Sequence, residues 1–195
     1  ALLVAVVVAV SCLAAGCATA PVRIPRASPT ASPRLVRIAP GVTVNAALLQ
    51  LPPYSVSPSN PLPTGVSPRR VVRDLIVDNL VENAALVRND VQLLPYADTG
   101  GVLALDRNAI SNNEASRTRV LRITDLFASL EVGTKADPND AAASIAVIVQ
   151  DYERTTRSST GGHRKETAEA IDELVWMLWS PSAGRYLECD VSNSV

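Results

Sequence analysis

The chain has 195 residues, 47% hydrophobic and 19% charged, with a formal net charge of −1. That balance excludes the basic footprint with which proteins neutralise nucleic-acid phosphates. With Cys12 and Cys17 inside the apolar N-terminal stretch, one histidine and one cysteine remain, too few for a Cys/His zinc site.

The first twenty residues, ALLVAVVVAVSCLAAGCATA, carry no charge and are almost wholly apolar. Leu2 to Val10 makes an apolar core of the length found in export signals, and Ala14, Ala15 and Gly16 are the small residues expected at a cut site. The run Leu13-Ala14-Ala15-Gly16-Cys17 resembles the bacterial lipobox, in which a cysteine after small residues receives lipid before the signal is removed. Ala14 stands where Leu is usual. The resemblance implies a lipoprotein signal peptide over residues 1–16 and a lipid on Cys17. It also implies a bacterial envelope location, anchored on the periplasmic or extracytoplasmic side. Ala18 after Cys17 is compatible with outer-membrane sorting. The same segment is about as long as the ~20 residues that span a bilayer, so a retained membrane anchor is the alternative. With no initiator Met and no basic stretch before Ala1, further upstream residues are expected.

Residues 17–33 read as a tether. Pro21 to Pro68 holds eleven of the fourteen prolines, and PVRIPRASPTASPR favours an extended backbone that does not pack. At polyproline rise such a spacer reaches ~45 Å. Cys12 and Cys17 lie in the N-terminal segment, so Cys189 has no internal disulfide partner once Cys17 is lipidated.

Folded structure is expected from Arg34. RLVRIAP alternates, GVTV follows it, and one or two strands result. Leu51 to Pro68 reads as a long surface loop. Ser67-Pro68 then opens a helix, Ser as N-cap and Pro at the first position. It runs to about Arg88, with Val72, Leu75, Ile76, Leu80 and Val87 near one face and Asn79 and Asn83 interrupting it.

Next, VQLLPY (91–96) and VLAL (102–105) read as two strands around an Asp98-Thr99-Gly100-Gly101 turn, with Asn108 to Ser116 a loop. Thr118 to Val132 reads as a strand and residues 133–140 as a polar turn. Residues 144–157 form a central strand that closes an antiparallel hairpin with 118–132. His163–Trp179 is predicted as a second helix. Ala168, Ile171, Leu174, Val175, Leu178 and Trp179 make its stripe, opposite Glu166, Glu169, Asp172 and Glu173. The tail GRYLECDVSNSV adds a short strand or frays. The expected class is α+β: one domain over 34–195, a small mixed or antiparallel sheet packed against two main helices.

Chemistry is sparse. Asp98-Thr99-Gly100 resembles the aspartic-protease tripeptide, whose paired carboxylates activate water. A single copy makes a secreted hydrolase only as a dimer, and an ordinary turn is the plainer reading. Asp137, Asn139 and Asp140 offer oxygens to Ca²⁺, but the Gly and distal Glu of the full loop are missing, which leaves a solvated turn. His163, between Gly162 and Arg164, has no Gly-x-Ser-x-Gly elbow to serve. Gly161-Gly162 lacks the phosphate-loop spacing. No catalytic residue, cofactor or metal is expected. Trp176 would project from the polar face of the second helix, where with Tyr186 it marks a partner surface or a membrane interface; the equal alternative is that the tail, with Tyr186 and Leu187, folds back to cover it.

The element order also resembles the auxiliary lipoproteins of ABC-type lipid transporters. The shared features are a lipobox-like Cys17, a first strand near Arg34–Pro40, the helix from Ser67, the hairpin between Leu121 and Arg157, and a last helix over His163–Trp179. The tyrosine-rich start common in that family is missing. The resemblance implies a non-catalytic accessory component that binds partner proteins or lipid in a transport or assembly complex. A structural subunit held by an uncleaved transmembrane helix is the alternative.

Overall fold

The computed structural model describes residues 33–137, 139 and 145–193. The signal reading and, but for its last residue Pro33, the tether reading, with Cys12 and Cys17, lie outside them, as does Asp140. Two short strands, β1 (Leu35–Ala39) and β2 (Val42–Asn45), pair antiparallel, as their alternation predicts. Residues 46–49 form a 3₁₀ turn, and within the expected 51–68 loop β3 (Tyr54–Val56) adds a short strand.

Helix α1 (Pro68–Arg88) begins as its sequence dictates. Ser67 Oγ accepts the Arg70 N–H at 3.4 Å, Pro68 occupies the first turn, and Asn89 ends the helix at φ 58.

The next segment departs from expectation. VQLLPY is not a strand: Leu94–Tyr96 is a 3₁₀ turn. The expected VLAL strand and Asn-rich loop are together one helix, α2 (Gly100–Ala115). Val102, Asp106 and Ile110, four residues apart, lie along one side of α2, and the two apolar members are buried. A carboxylate in the middle of that side breaks the apolar stripe. The Gly-Gly start and Asn-rich end lower the helix propensity further.

The predicted 118–132 strand is two strands, β4 (Arg119–Asp125) and β5 (Ser129–Thr134), and both pair antiparallel with β6 (Ile145–Ser158). The predicted second helix over His163–Trp179 is a strand, β7 (Arg164–Ser180), paired with β6 along its length. Its apolar run has to satisfy two faces. Val175 and Met177 enter the cluster under α1, whereas Leu174 and Trp176 enter another with Ala146 and Cys189. Residues buried on both sides of one element require a central strand. The three-four stripe was a by-product of the unbroken run LVWMLW. The tail is β8 (Arg185–Asn193), antiparallel to β7.

The sheet order is β3-β5-β6-β7-β8, with β4 continuing alongside β6 and β3 parallel to β5. The class is α+β, with two helices on a mixed sheet, although the second helix is α2. Val71, Val72, Leu75 and Ile76 of α1 pack on Leu130, Val132, Val147, Val149, Val175 and Met177. Burying each such side chain contributes roughly 1.5–3 kcal/mol. Elsewhere on α1, Val81 and Ala85 pack with the β1–β2 hairpin, Leu93, Leu94 and Ile110. Among the described residues no helix is long and apolar enough to cross a membrane.

Candidate functional site: an acidic chamber between α1, α2 and the sheet

Asp74, Asp78 and Glu82 are spaced by four, so α1 carries a stripe of carboxylates along one side. The first two are compensated. Asp78, with no side-chain exposure, pairs with Arg185 of β8, which also donates to the Tyr96 carbonyl and, at 3.4 Å, to the Asp74 carbonyl. Asp74 Oδ2 accepts the Tyr186 N–H at 3.0 Å and lies 3.8 Å from Arg70 Nε.

One turn on, Glu82 meets Asp98 and Asp106, and carboxylate oxygens of the three lie within 4.8 Å of one another. Each comes from a different element. Asp106 is the polar member of α2's buried side. Asp98 lies in the segment before α2 that is fastened to β8: Thr99 N–H donates to the Glu188 carbonyl at 2.7 Å, and Glu188 N–H to the Ala97 carbonyl at 3.2 Å. Gly100 completes the fastening. Its φ is +54, and a Cβ there would stand 2.8 Å from the Cys189 carbonyl oxygen. Asp98 is 2% exposed, and its oxygens accept from no N–H or hydroxyl donor; its side-chain hydrogen bond is to Asp106, through a proton the two acids share. Glu188 is also buried, from the β8 side.

These groups hold protons strongly. Burial, then the charges of Glu188 and Asp106, pushes Asp98 up to about 9. Burial pushes Glu82 and Glu188 well above the usual carboxylate range, and neighbouring carboxylates add to it. Asp106 is raised by burial. Asp78 stays well above its ordinary value, because the loss of hydration outweighs Arg185.

The chamber continues as a cavity of about 160 Å³. Leu75, Phe127, Val149, Ile171 and Val175 form its apolar wall, and Asn83, Asp125, Asp151, Glu153 and Glu173 its polar one. Asp125 accepts the Asn83 amide at 2.6 Å, and burial raises it to about 6. Asp151 accepts backbone N–H groups of Leu126 and Tyr152 at 2.8 and 2.5 Å, and burial raises it too. All-oxygen carboxylate sets of this kind hold protons or hard cations.

The residues singled out in the sequence sit otherwise than expected. Trp176 is 3% exposed, not on a surface, because a strand sends it to the face opposite Glu173; its Nε1 donates to the Lys135 carbonyl at 3.2 Å. Tyr186 is half-buried on the α1 side of the sheet, so the two do not form one surface. The exposed tryptophan is Trp179, edge-on to Tyr186 with ring centroids 5.3 Å apart and with the Arg70 guanidinium 4.5 Å over its ring. Cys189 is buried, its thiol 3.3 Å from the Trp176 carbonyl.

Asp98-Thr99-Gly100 is a helix start and not an exposed turn, and a carboxylate 2% exposed cannot meet its counterpart in a second copy. Asp137 is buried rather than solvated, and accepts the Asn139 N–H at 2.8 Å. His163 is exposed between β6 and β7. The chamber's own signals in the sequence are the Asp74, Asp78, Glu82 spacing and the alternating Asp151 and Glu153, acids at positions where a buried face asks for apolar side chains.

No family model matches the sequence, and no curated protein does. Among solved structures the chain is similar to the intermembrane space region of chloroplast protein ARC6, at 11% identity. The likeness covers 57% of this chain and 84% of that one, with a TM-score of 0.44.

Proposed function

We propose that this chain is a lipoprotein of the bacterial cell envelope, its domain carried on lipidated Cys17 and a Pro-rich tether. In this reading the domain is a non-catalytic accessory component that binds partner proteins in a transport or assembly complex. The observation that carries the reading is an open groove of about 310 Å³ on the β4 and β6 strands. Leu126 is 68% exposed there and Tyr152 42%, flanked by Arg122 and by Arg154, which pairs with Glu166 at 3.2 Å. Exposed aromatic and apolar groups framed by arginine are the composition of interface centres.

Partner protein is favoured over lipid as the ligand. The chamber beneath α1 is smaller than the ~300 Å³ at which ligand pockets begin, and its carboxylates would face an acyl chain unpaired. His163, the chain's one histidine, sits on an exposed turn, which favours binding over general-base chemistry.

The test is capture from detergent-solubilised envelope with the full chain, alongside Tyr152→Ala and Leu126→Asp. A partner retained by the native chain and lost from both variants supports the reading; one retained equally by all three sinks the groove. Mass spectrometry of the native N-terminus reports the anchor. Diacylglyceryl-Cys17 supports the lipoprotein, and an intact 1–16 segment replaces it with the membrane span.

A further inference from the structure

We propose that Glu82, Asp98 and Asp106 bind one divalent cation of the hard, oxygen-seeking class, Ca²⁺ in preference to Mg²⁺, with Glu188 facing the ion from β8. The first observation is convergence: carboxylates from α1, from the segment before α2 and from α2 bring oxygens within 4.8 Å of one another. Convergence of acids is not enough, since exposed acidic groups gather at many surfaces.

The second observation is independent of that distance. Asp98 is 2% exposed and neither oxygen accepts a hydrogen bond from an N–H or hydroxyl donor; its one side-chain hydrogen bond runs to Asp106 and needs a proton shared between the two acids, and Asp106 Oδ2 is also buried. A buried carboxylate without a donor is among the most costly arrangements in a protein interior. The charge of Arg185 offsets only part of this, and its N–H groups do not reach Asp98. Arg185 is committed to Asp78 and to the Tyr96 and Asp74 carbonyls. Nor can Asp98 swing outward, because the backbone on both sides is bonded to β8 and Gly100 is seated against the Cys189 carbonyl.

The ligand set selects the ion. Carboxylates without thiol or imidazole suit Ca²⁺, Mg²⁺ or Mn²⁺ rather than zinc or copper. Mg²⁺ sheds water reluctantly and demands regular octahedral geometry. Ca²⁺ accepts irregular sets of 6–8 oxygens and bidentate carboxylates, which suits a dry site built from three elements. So placed, the ion ties α1, α2 and β8 together and acts as a structural clamp.

The full chain, purified in detergent and stripped with EDTA, is titrated with CaCl₂, MgCl₂ and MnCl₂ by calorimetry and thermal unfolding. One Ca²⁺ per chain and a rise in Tm of at least about 5 °C at 100-fold excess over Kd are expected, with Mg²⁺ at least tenfold weaker. Asp98→Asn and Glu82→Gln lose at least tenfold in affinity, while Glu169→Gln, at an exposed position, keeps it. Should no ion shift the native chain while Asp98→Asn raises Tm in ion-free buffer, the carboxylates hold protons and the proposal fails. A shift that survives unchanged in Asp98→Asn also overturns it. Because that variant could misfold, Eu³⁺ luminescence lifetimes on the native chain give a separate reading. About two or three bound waters support the buried site, and a nearly full hydration shell overturns it.

Discussion

The inward side of α1 has two parts of opposite chemistry on the same scaffold. In one, Val71, Val72 and Ile76 meet Leu130, Val132, Val147 and Met177, a dry aliphatic seam. In the other, Asp78 and Glu82 meet Asp98, Asp106 and Glu188, with Arg185 for counter-charge. The period of α1 carries straight through both, so helix geometry does not distinguish them. Only the side chains do. The aliphatic part stabilises the fold by removing apolar area from water. The acidic part opposes folding at neutral pH, and is the part fitted to bind something.

The largest expected effect is at the join. Arg185→Ala leaves the buried Asp78 carboxyl and the Tyr96 carbonyl without their shared donor and should cost about 4 kcal/mol in chemical denaturation. Asp78→Asn in the same chain should recover most of that loss. Without recovery, Arg185 acts through its bonds to the Tyr96 and Asp74 carbonyls and the division between the two parts blurs.

Ile76→Ala tests the dry part. A side chain 3% exposed should cost about 3 kcal/mol when truncated, independently of pH between 4 and 8. A strong pH dependence of that loss would show the two parts are not separable.

The smallest effect is at the cavity wall. Asp125 has a pKa of about 6 in the fold against 3.8 ordinarily. A carboxyl raised by folding contributes stability that is fully present below pH 3.8 and is lost as pH climbs through 6. Asp125→Asn should therefore flatten thermal stability between pH 4 and pH 6, leaving the variant about 2–4 °C above the native chain at pH 7. An unchanged slope would assign that window to Asp151 and Glu173, which are also raised.

What could be read from the sequence follows from how local each signal is. Ser67-Pro68 specifies the start of α1 within four residues, and the alternation over 35–44 specifies β1 and β2. The β6 strand was visible because Ile145 to Val149 is apolar on both faces. β7 resembles a helix in sequence because LVWMLW satisfies a helical stripe and a doubly buried strand equally, and only its pairing with β6 decides. α2 was hidden because Asp106 stands where its apolar stripe needed a hydrophobic residue. The site is therefore what obscured the helix that bears it. The α+β class held while one helix changed place, since class depends on how many elements need covering more than on which segment supplies them.

The β6–β7 pairing has a consequence for the order of assembly. Its strands are joined across residues 159–163 and stay in register from Ser158–Arg164 to Ile145–Met177. The parallel β3–β5 pairing instead joins Tyr54 to Leu130. Closing the short loop costs far less chain entropy than closing the long one. The hairpin is the element that can form first and template β5, β4 and β8. The acidic chamber, drawn from α1, α2 and β8, closes only after distant parts of the chain have met.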